Sequence, residues 1–196
     1  NMSEVKTADI NAISFVHGVS FASQLKQQKL TFFNPDELVG LFADYRAKGL
    51  GNFEAQSAVA ELREIAGRSE NFTKVEGEDK EKAVDTFSKL FFMDIDKSPL
   101  GNDLVTQKFE EGFVDFWKNE KMPNQEQIQE YSAFMAEIGA KEGEDFLTEN
   151  AKRSEVQVTE SGLQYEILEN AEGPKPSAEQ TVVAHYEGTL TDGTKF

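Results

Sequence analysis

The fold class is decided by residues 182–196, which read VVAHYEGTLTDGTKF. Along residues 183–190 small or apolar residues, Tyr186 and Leu190 among them, alternate with the others, and this period predicts a half-buried β-strand. Asp192-Gly193 then predicts a tight hairpin turn, with residues 194–196 as a short returning strand. Because a hairpin alone cannot cover a hydrophobic face, these residues are expected to be the opening strands of a larger β domain.

The residues before this stretch change from a helical to a strand period after Arg153. Leu163, Tyr165 and Ile167 alternate with polar residues, which indicates another strand. Residues 9 to about 151 instead repeat their apolar positions every three or four residues, which is typical of amphipathic helices. The sequence therefore predicts an α+β protein: a mainly helical N-terminal domain of about six helices, followed by the first strands of an incomplete β domain.

The first predicted helix is capped by Asp9 and is apolar on more than one face, so it is expected to be sandwiched between other elements. Gly18 and Ala22, four residues apart, leave a small patch where another backbone could approach closely. Asn34-Pro35 is a strong start for the second helix, because Asn caps and Pro occupies the first position. That helix is expected to stop near residues 49–51.

The remaining helices are bounded by polar residues, glycine and proline. Asn52 is expected to start the third helix and Gly67 to end it, and the fourth is expected to run from Asp79 to the Ser98-Pro99 break. Asn102 or Asp103 is expected to cap the fifth. Pro123-Asn124 opens a last helix of up to about 28 residues, which Gly139 and Gly143 are expected to bend or interrupt.

The helical region contains a candidate internal repeat. Residues 37–45 (ELVGLFADY) align with residues 108–116 (KFEEGFVDF) at an offset of 71, which pairs Phe42 with Phe113 and Tyr45 with Phe116. One interpretation is a duplication with copies at 9–70 and 79–142. The alternative is that any two amphipathic helices share this spacing. If the copies fold alike, one chain could imitate a dimer of two subunits and stay monomeric.

The composition excludes several classes of function. The net charge of −16, from 36 acidic and 20 basic residues, argues against nucleic acid and against an anionic membrane surface as partners. The absence of cysteine excludes disulfides and thiolate chemistry. The two histidines, His17 and His185, lie too far apart in sequence to indicate a metal site, and the carboxylate clusters lack calcium-loop spacing. No metal or cofactor is expected.

Four segments carry a resemblance to a known family: FL-x-ENAK at 146–152, SGLQY at 161–165, VVAHYEGTL at 182–190 and DGTKF at 192–196. Together they resemble the junction and first strands of FKBP-type peptidyl-prolyl cis-trans isomerases, in the branch with a helical N-terminal arm that includes macrophage infectivity potentiator. The resemblance divides the chain into a helical arm at 1–142, a connecting helix at 143–153 and a partial isomerase domain at 154–196.

The resemblance implies catalysis of X–Pro isomerisation in an aromatic pocket, without a covalent step or a cofactor. Tyr186 matches the pocket tyrosine of the first long strand, and Phe196 matches the pocket phenylalanine after the Asp-Gly turn. The other pocket residues of the family follow the position of Phe196. We therefore expect residues 1–196 to hold no complete catalytic site.

The resemblance also implies partners and a location. Proline-containing polypeptides are the expected clients, and the arm is expected to form a homodimer or, if duplicated, a pseudo-dimeric monomer. The alternative function is a non-catalytic helical chaperone or interaction module. Related arms indicate the bacterial cell envelope, in particular the periplasm. The chain starts at Asn1 without a basic-then-apolar leader, so either the protein is cytosolic or a signal peptide has been removed.

Overall fold

A computed structural model describes residues 8–196. The chain divides into two units, which we call the helical unit (residues 8–135) and the C-terminal unit (residues 136–196), and the boundary falls inside a helix. The helices are α1 Ile10–Gln27, α2 Pro35–Lys48, α3 Ala55–Arg68, α4 Gly77–Lys97, α5 Thr106–Asn119 and α6 Gln125–Asn150, and the strands are β1 Val156–Val158 and β2 Gln164–Glu166. The predicted α+β class is confirmed. The predicted arm starts at residue 1, and its residues 1–7 lie outside the described range.

The starts of α1 and α2 follow from their capping residues. The Asp9 carboxylate accepts a hydrogen bond of 3.1 Å from the backbone N–H of Ala12. The Asn34 side chain accepts one of 2.9 Å from the N–H of Asp36, with Pro35 at the first helical position. Each cap satisfies an N–H group that the helix cannot pair internally. Gly49, at φ +80°, ends α2 as predicted.

Two predicted helix starts are wrong. The third helix begins at Ala55 and not at Asn52, because the chain before it is extended, with Phe53 beneath the ammonium of Lys89 at 5.5 Å from the ring centroid. The fifth begins at Thr106, since residues 101–103 form a separate 3-10 turn. Neither Asn102 nor Asp103 caps it. The N–H of Val105 instead donates to the Ser14 hydroxyl of α1, at 2.9 Å.

The last helix, α6, begins where the sequence predicts and does not stop at its glycines. The Asn124 side chain accepts from the N–H of Gln127 at 2.8 Å, and the Gln127 side chain accepts from the N–H of Asn124 at 2.9 Å. This reciprocal pair satisfies two free donors at once. The helix then continues through Gly139 and Gly143 without interruption, so the prediction that either glycine interrupts it is wrong.

The helices of the helical unit do not pack mainly on their neighbours in sequence. The most extensive contact joins α1 to α5, the next joins α2 to α4, and smaller ones join α2 to α5 and α3 to α4. The first helix is buried on several faces, which confirms that it is sandwiched. The largest fully buried side chains are Phe42, Phe113, Ile13, Leu38, Ile65, Ile95 and Val84. Burial of such side chains contributes about 1.5–3 kcal/mol each.

The bounds of α2 and α5 agree with the candidate repeat and its offset of 71 residues. The fifth helix begins and ends 71 residues after the second. Leu38 and Phe42 of α2 correspond to Phe109 and Phe113 of α5, and all four side chains are buried. The first helix of each candidate copy packs against the second helix of the other copy.

The C-terminal unit contains a small antiparallel sheet. The two strands pair Val156 with Glu166, Gln157 with Tyr165 and Val158 with Gln164. The half-buried strand predicted at residues 183–190 is not formed: these residues are almost all exposed and, apart from a bridge between Thr189 and Lys195, lie outside the described strands. A strand is held by ladder hydrogen bonds to a neighbour, and within residues 8–196 no strand pairs with residues 182–188.

No helix in residues 8–196 combines the length and the apolarity that crossing a membrane requires.

Candidate functional site

The two predicted pocket residues lie on either side of the Asp192-Gly193 turn, in segments that form no regular strand. Gly193 has a φ of +90°, a conformation that glycine adopts without steric cost. The Asp192 carboxylate accepts from the N–H of Thr194 at 2.8 Å, and the N–H of Leu190 donates to the carbonyl of Thr194 at 2.8 Å. The predicted hairpin turn is therefore formed.

Phe196 is positioned by the opposite arm of this hairpin. Its N–H donates to the carbonyl of Gly188 at 3.1 Å. Its ring lies directly over Gly188, where an added Cβ would be 2.6 Å from the ring Cζ. The glycine therefore leaves the space that the ring occupies, and a larger residue there would displace the ring. Sequence reasoning did not single out Gly188 for this role.

Tyr186 stands two residues before Gly188 and is 97% exposed, while Phe196 is 86% exposed. In the described residues the two rings form no ring–ring contact. The hairpin thus places both candidate residues in one short segment without joining them into a pocket. An aromatic pocket excludes water only when further walls enclose it.

The junction between α6 and the sheet is held by side-chain hydrogen bonds within the C-terminal unit. The amide N–H of Asn150 donates to the Gln164 side chain at 2.9 Å, and Gln164 in turn donates to the carbonyl of Leu147 at 2.8 Å. Arg153 pairs with Glu166 at 2.9 Å. Residues of the motifs at 146–152 and 161–165 thus contact each other, which accounts physically for their joint occurrence.

The helical unit contains a partly buried histidine, His17, that packs among aromatic rings. Its Nδ1 shares a hydrogen bond of 2.9 Å with the Tyr131 hydroxyl, and its ring lies among those of Phe21 and Phe109. Burial lowers the pKa of the imidazole to about 4. Burial also raises the pKa of the Tyr131 phenol. At neutral pH His17 is therefore uncharged, and its role is in packing.

An apolar groove of about 430 Å³ lies beside α1. Its lining contains no charged side chain, although 29% of the residues in the chain are charged. Met122 is 64% exposed at the groove, and Ile128 is partly exposed. The lining residues are Val16, Val19, Ser20, Ser23, Gln24, Gln27, Phe116, Met122, Pro123, Ile128 and Tyr131. Such a surface suits apolar segments of another polypeptide.

Among the described residues, no group of three or more His, Cys, Asp or Glu side chains is placed to hold a metal ion. The clusters Glu76-Glu78-Asp79 and Glu142-Glu144-Asp145 lie at the start of α4 and in exposed turns of α6. Asp79 pairs with Arg68 at 2.7 Å. This ion pair and the solvent exposure account for the charged side chains of the first cluster.

Part of the chain matches a known family model. Residues 93–167 match the model of the domain amino terminal to FKBP-type peptidyl-prolyl isomerase. The match runs from α4 into the residue after β2, across the helix-to-strand junction. The resemblance to FKBP-type isomerases is confirmed. The first candidate repeat, at 9–70, lies outside the matched range.

Three curated relatives align with part of the chain, and two of them are named FKBP-type peptidyl-prolyl cis-trans isomerases. The FKBP-type peptidyl-prolyl cis-trans isomerase FkpA of Aeromonas hydrophila is 55% identical over 56 residues, which is 29% of this chain and 21% of the relative. The FKBP-type 22 kDa isomerase of Escherichia coli is 47% identical over 57 residues, 29% of this chain and 28% of the relative. Outer membrane protein MIP of Legionella longbeachae is 43% identical over 61 residues, covering 31% and 26%.

These matches are partial in both directions. The aligned part covers between 21% and 28% of the length of these curated relatives. No solved structure matches the chain. The matches support a resemblance to FKBP-type isomerases over the C-terminal part of the chain, and the activity of the whole protein is treated below as a proposal.

Proposed function

We propose that the full product of this gene is a peptidyl-prolyl cis-trans isomerase that assists protein folding, with Tyr186 and Phe196 in its proline pocket. The observation that carries the proposal is the family match across the helix-to-strand junction at 93–167. The geometry at the Asp192-Gly193 turn supports it, since Gly188 leaves room for the Phe196 ring two residues after Tyr186. The relatives are themselves named isomerases.

The proposed mechanism is non-covalent. Rotation about an X–Pro bond faces a barrier of about 18–20 kcal/mol because resonance gives the C–N bond double-bond character. The twisted imide loses this resonance and is less polar than the planar one. An aromatic pocket that holds proline and excludes water therefore binds the twisted state better than the ground state. Tyr186 and Phe196 would each supply an aromatic wall, and no cofactor is required.

Substitution of the pocket residues tests this proposal. In the full gene product, Tyr186→Ala and Phe196→Ala should each lower kcat/KM for a proline-containing peptide by about tenfold or more, the equivalent of roughly 1.4 kcal/mol of lost transition-state binding. Tyr165→Ala is the matched control, because Tyr165 is a partly exposed tyrosine of β2 whose hydroxyl bonds Gln157. The proposal is contradicted if both pocket variants retain the wild-type kcat/KM while the fold is intact.

We further propose that the helical arm consists of two tandem copies, at 9–70 and 79–142, that pair within one chain as a pseudo-dimer. Three observations support it: the shared bounds of α2 and α5 at an offset of 71, the buried residues at matching positions, and the crossed packing of α1 on α5 and of α4 on α2. The connecting segment at 143–153 would then lead from the second copy to the isomerase domain, which starts at 154. Light scattering that shows a stable homodimer would contradict this arrangement.

We also propose a location in the bacterial cell envelope. The support is indirect: one relative is named an outer membrane protein, and the acidic chain has no cysteine to oxidise. Localisation of the tagged gene product by cell fractionation tests the assignment. Recovery in the cytosolic fraction alone would contradict it.

A second candidate function, a chaperone module without catalysis, is favoured by the uncharged groove beside α1. Its proposed occupant is an extended apolar segment of an unfolded client. The exposed, flexible Met122 side chain at the groove could adapt to such a segment. This candidate is preferred if the full gene product delays aggregation of an unfolded client without accelerating prolyl isomerisation. In that case Met122→Asp should abolish the delay.

A further inference from the structure

The backbones of α1 and α5 approach each other closely where the two helices cross. A Cβ atom added at Gly18 would lie 2.9 Å from the backbone N of Phe113 and even closer to the carbonyl oxygen of Phe109. A Cβ added at Gly112 would lie 2.9 Å from the carbonyl carbon of Phe15. Each glycine thus faces the backbone of the opposite helix, and no side chain fits between them.

The corresponding crossing of α2 and α4 is built differently. At the offset of 71, Gly18 corresponds to Lys89 of α4 and Gly112 corresponds to Leu41 of α2. Lys89 pairs with Asp85 at 2.9 Å, and its ammonium lies 5.3 Å from the ring centroid of Tyr45. Leu41 packs against the buried core. The α2–α4 crossing therefore has long side chains at the two positions where the α1–α5 crossing has glycine.

We propose that the surface of α5 around Gly112 is a docking site specific for α1. A helix can occupy it only if it carries glycine at the position of Gly18. The fourth helix of a second copy does not meet this condition, because the Cβ of Lys89 would meet the Phe109 backbone. The site therefore selects pairing between the two copies of one chain over pairing of second copies from two chains. This inference rests on the tandem arrangement proposed above, and it disfavours a dimer built from two second copies.

Alanine substitutions test the docking site. Gly18→Ala and Gly112→Ala should each lower the melting temperature of residues 1–196 by roughly 5–10 °C, because the added methyl group forces the backbones apart. Gly40→Ala is the matched control. Gly40 also lies inside a helix, but nothing lies within 4 Å of its added Cβ, so the substitution should leave the melting temperature unchanged or raise it. The proposal is overturned if Gly18→Ala melts no lower than Gly40→Ala.

Light scattering tests the selected partner. The wild-type chain should have the monomer mass of 21.9 kDa over a wide concentration range, and two batches with different tags should not co-purify after mixing. A dimer that exchanges between the two batches would overturn the proposal. Neither mass nor melting temperature depends on catalysis. Failure of this proposal and failure of the isomerase assignment are therefore separate outcomes.

Discussion

Individual residues show where sequence reasoning works and where it stops. Gly18 was predicted to allow close approach, and the backbone of α5 does lie against it. A close contact at Gly112 of α5 was not predicted. The repeat alignment pairs Gly112 with Leu41 of α2, and this difference in side-chain size could have indicated that α5 packs more closely on its partner helix than α2 does. A pattern reveals small residues, but only the tertiary fold shows which backbone approaches them. The roles of Tyr186 and Phe196 stay predictions, because both side chains are exposed and no described residues enclose them in a pocket.

His17 is expected to make the stability of the helical unit depend on pH. Its pKa is about 4 in the folded chain and about 6.5 when unfolded, so the unfolded state binds more protons between these values. Its contribution is fully present above pH 6.5 and is lost as pH falls toward 4, with an upper limit of about 3 kcal/mol.

Urea unfolding at a series of pH values measures this contribution. His17→Gln keeps a polar partner for Tyr131 but does not titrate, so it should weaken the fall in unfolding free energy between pH 6.5 and 4. His185→Gln is the matched control, since His185 is exposed. An equal pH dependence in wild type and His17→Gln would show that burial of this imidazole does not couple to folding.

At the scale of elements, capping residues predicted some helix starts and failed at others. Asp9, Asn34 and Asn124 cap the helices that follow them. Asn102 has the same residue type but lies in the 3-10 turn before α5, whose first turn is instead anchored by the Ser14 hydroxyl of α1. A local rule cannot anticipate a cap that comes from a residue distant in sequence. The strand at 183–190 failed for the same reason, because pairing depends on a partner.

The cap of α6 can be tested by one substitution. Asn124→Ala removes the side-chain oxygen that accepts from the N–H of Gln127, while the backbone N–H of residue 124 can still donate to the Gln127 side chain. The substitution should lower the free energy of unfolding by about 1 kcal/mol, measured by urea denaturation. Asn102→Ala is the matched control, because the exposed Asn102 caps no helix, and it should change stability by less than about 0.5 kcal/mol. Equal losses from the two substitutions would contradict the assigned cap.

At the scale of the whole molecule, the α+β class and the resemblance to FKBP-type isomerases could be predicted from sequence, while the arrangement of the helices could not. The class follows from the change of period after Arg153, which is local. The crossed packing of α1 on α5 and of α2 on α4 is a tertiary property. Only the repeat at an offset of 71 suggested it beforehand. The duplication remains a proposal that the matching helix bounds support.

The most direct test of the account is the rate of cis-trans isomerisation of a short Ala-Leu-Pro-Phe peptide. The full gene product and residues 1–196 should be compared under identical conditions. The account predicts that the full product accelerates the reaction and that residues 1–196 do not, because the proposed pocket needs walls in addition to Tyr186 and Phe196. No acceleration by the full product would contradict the account and would favour the helical chaperone module.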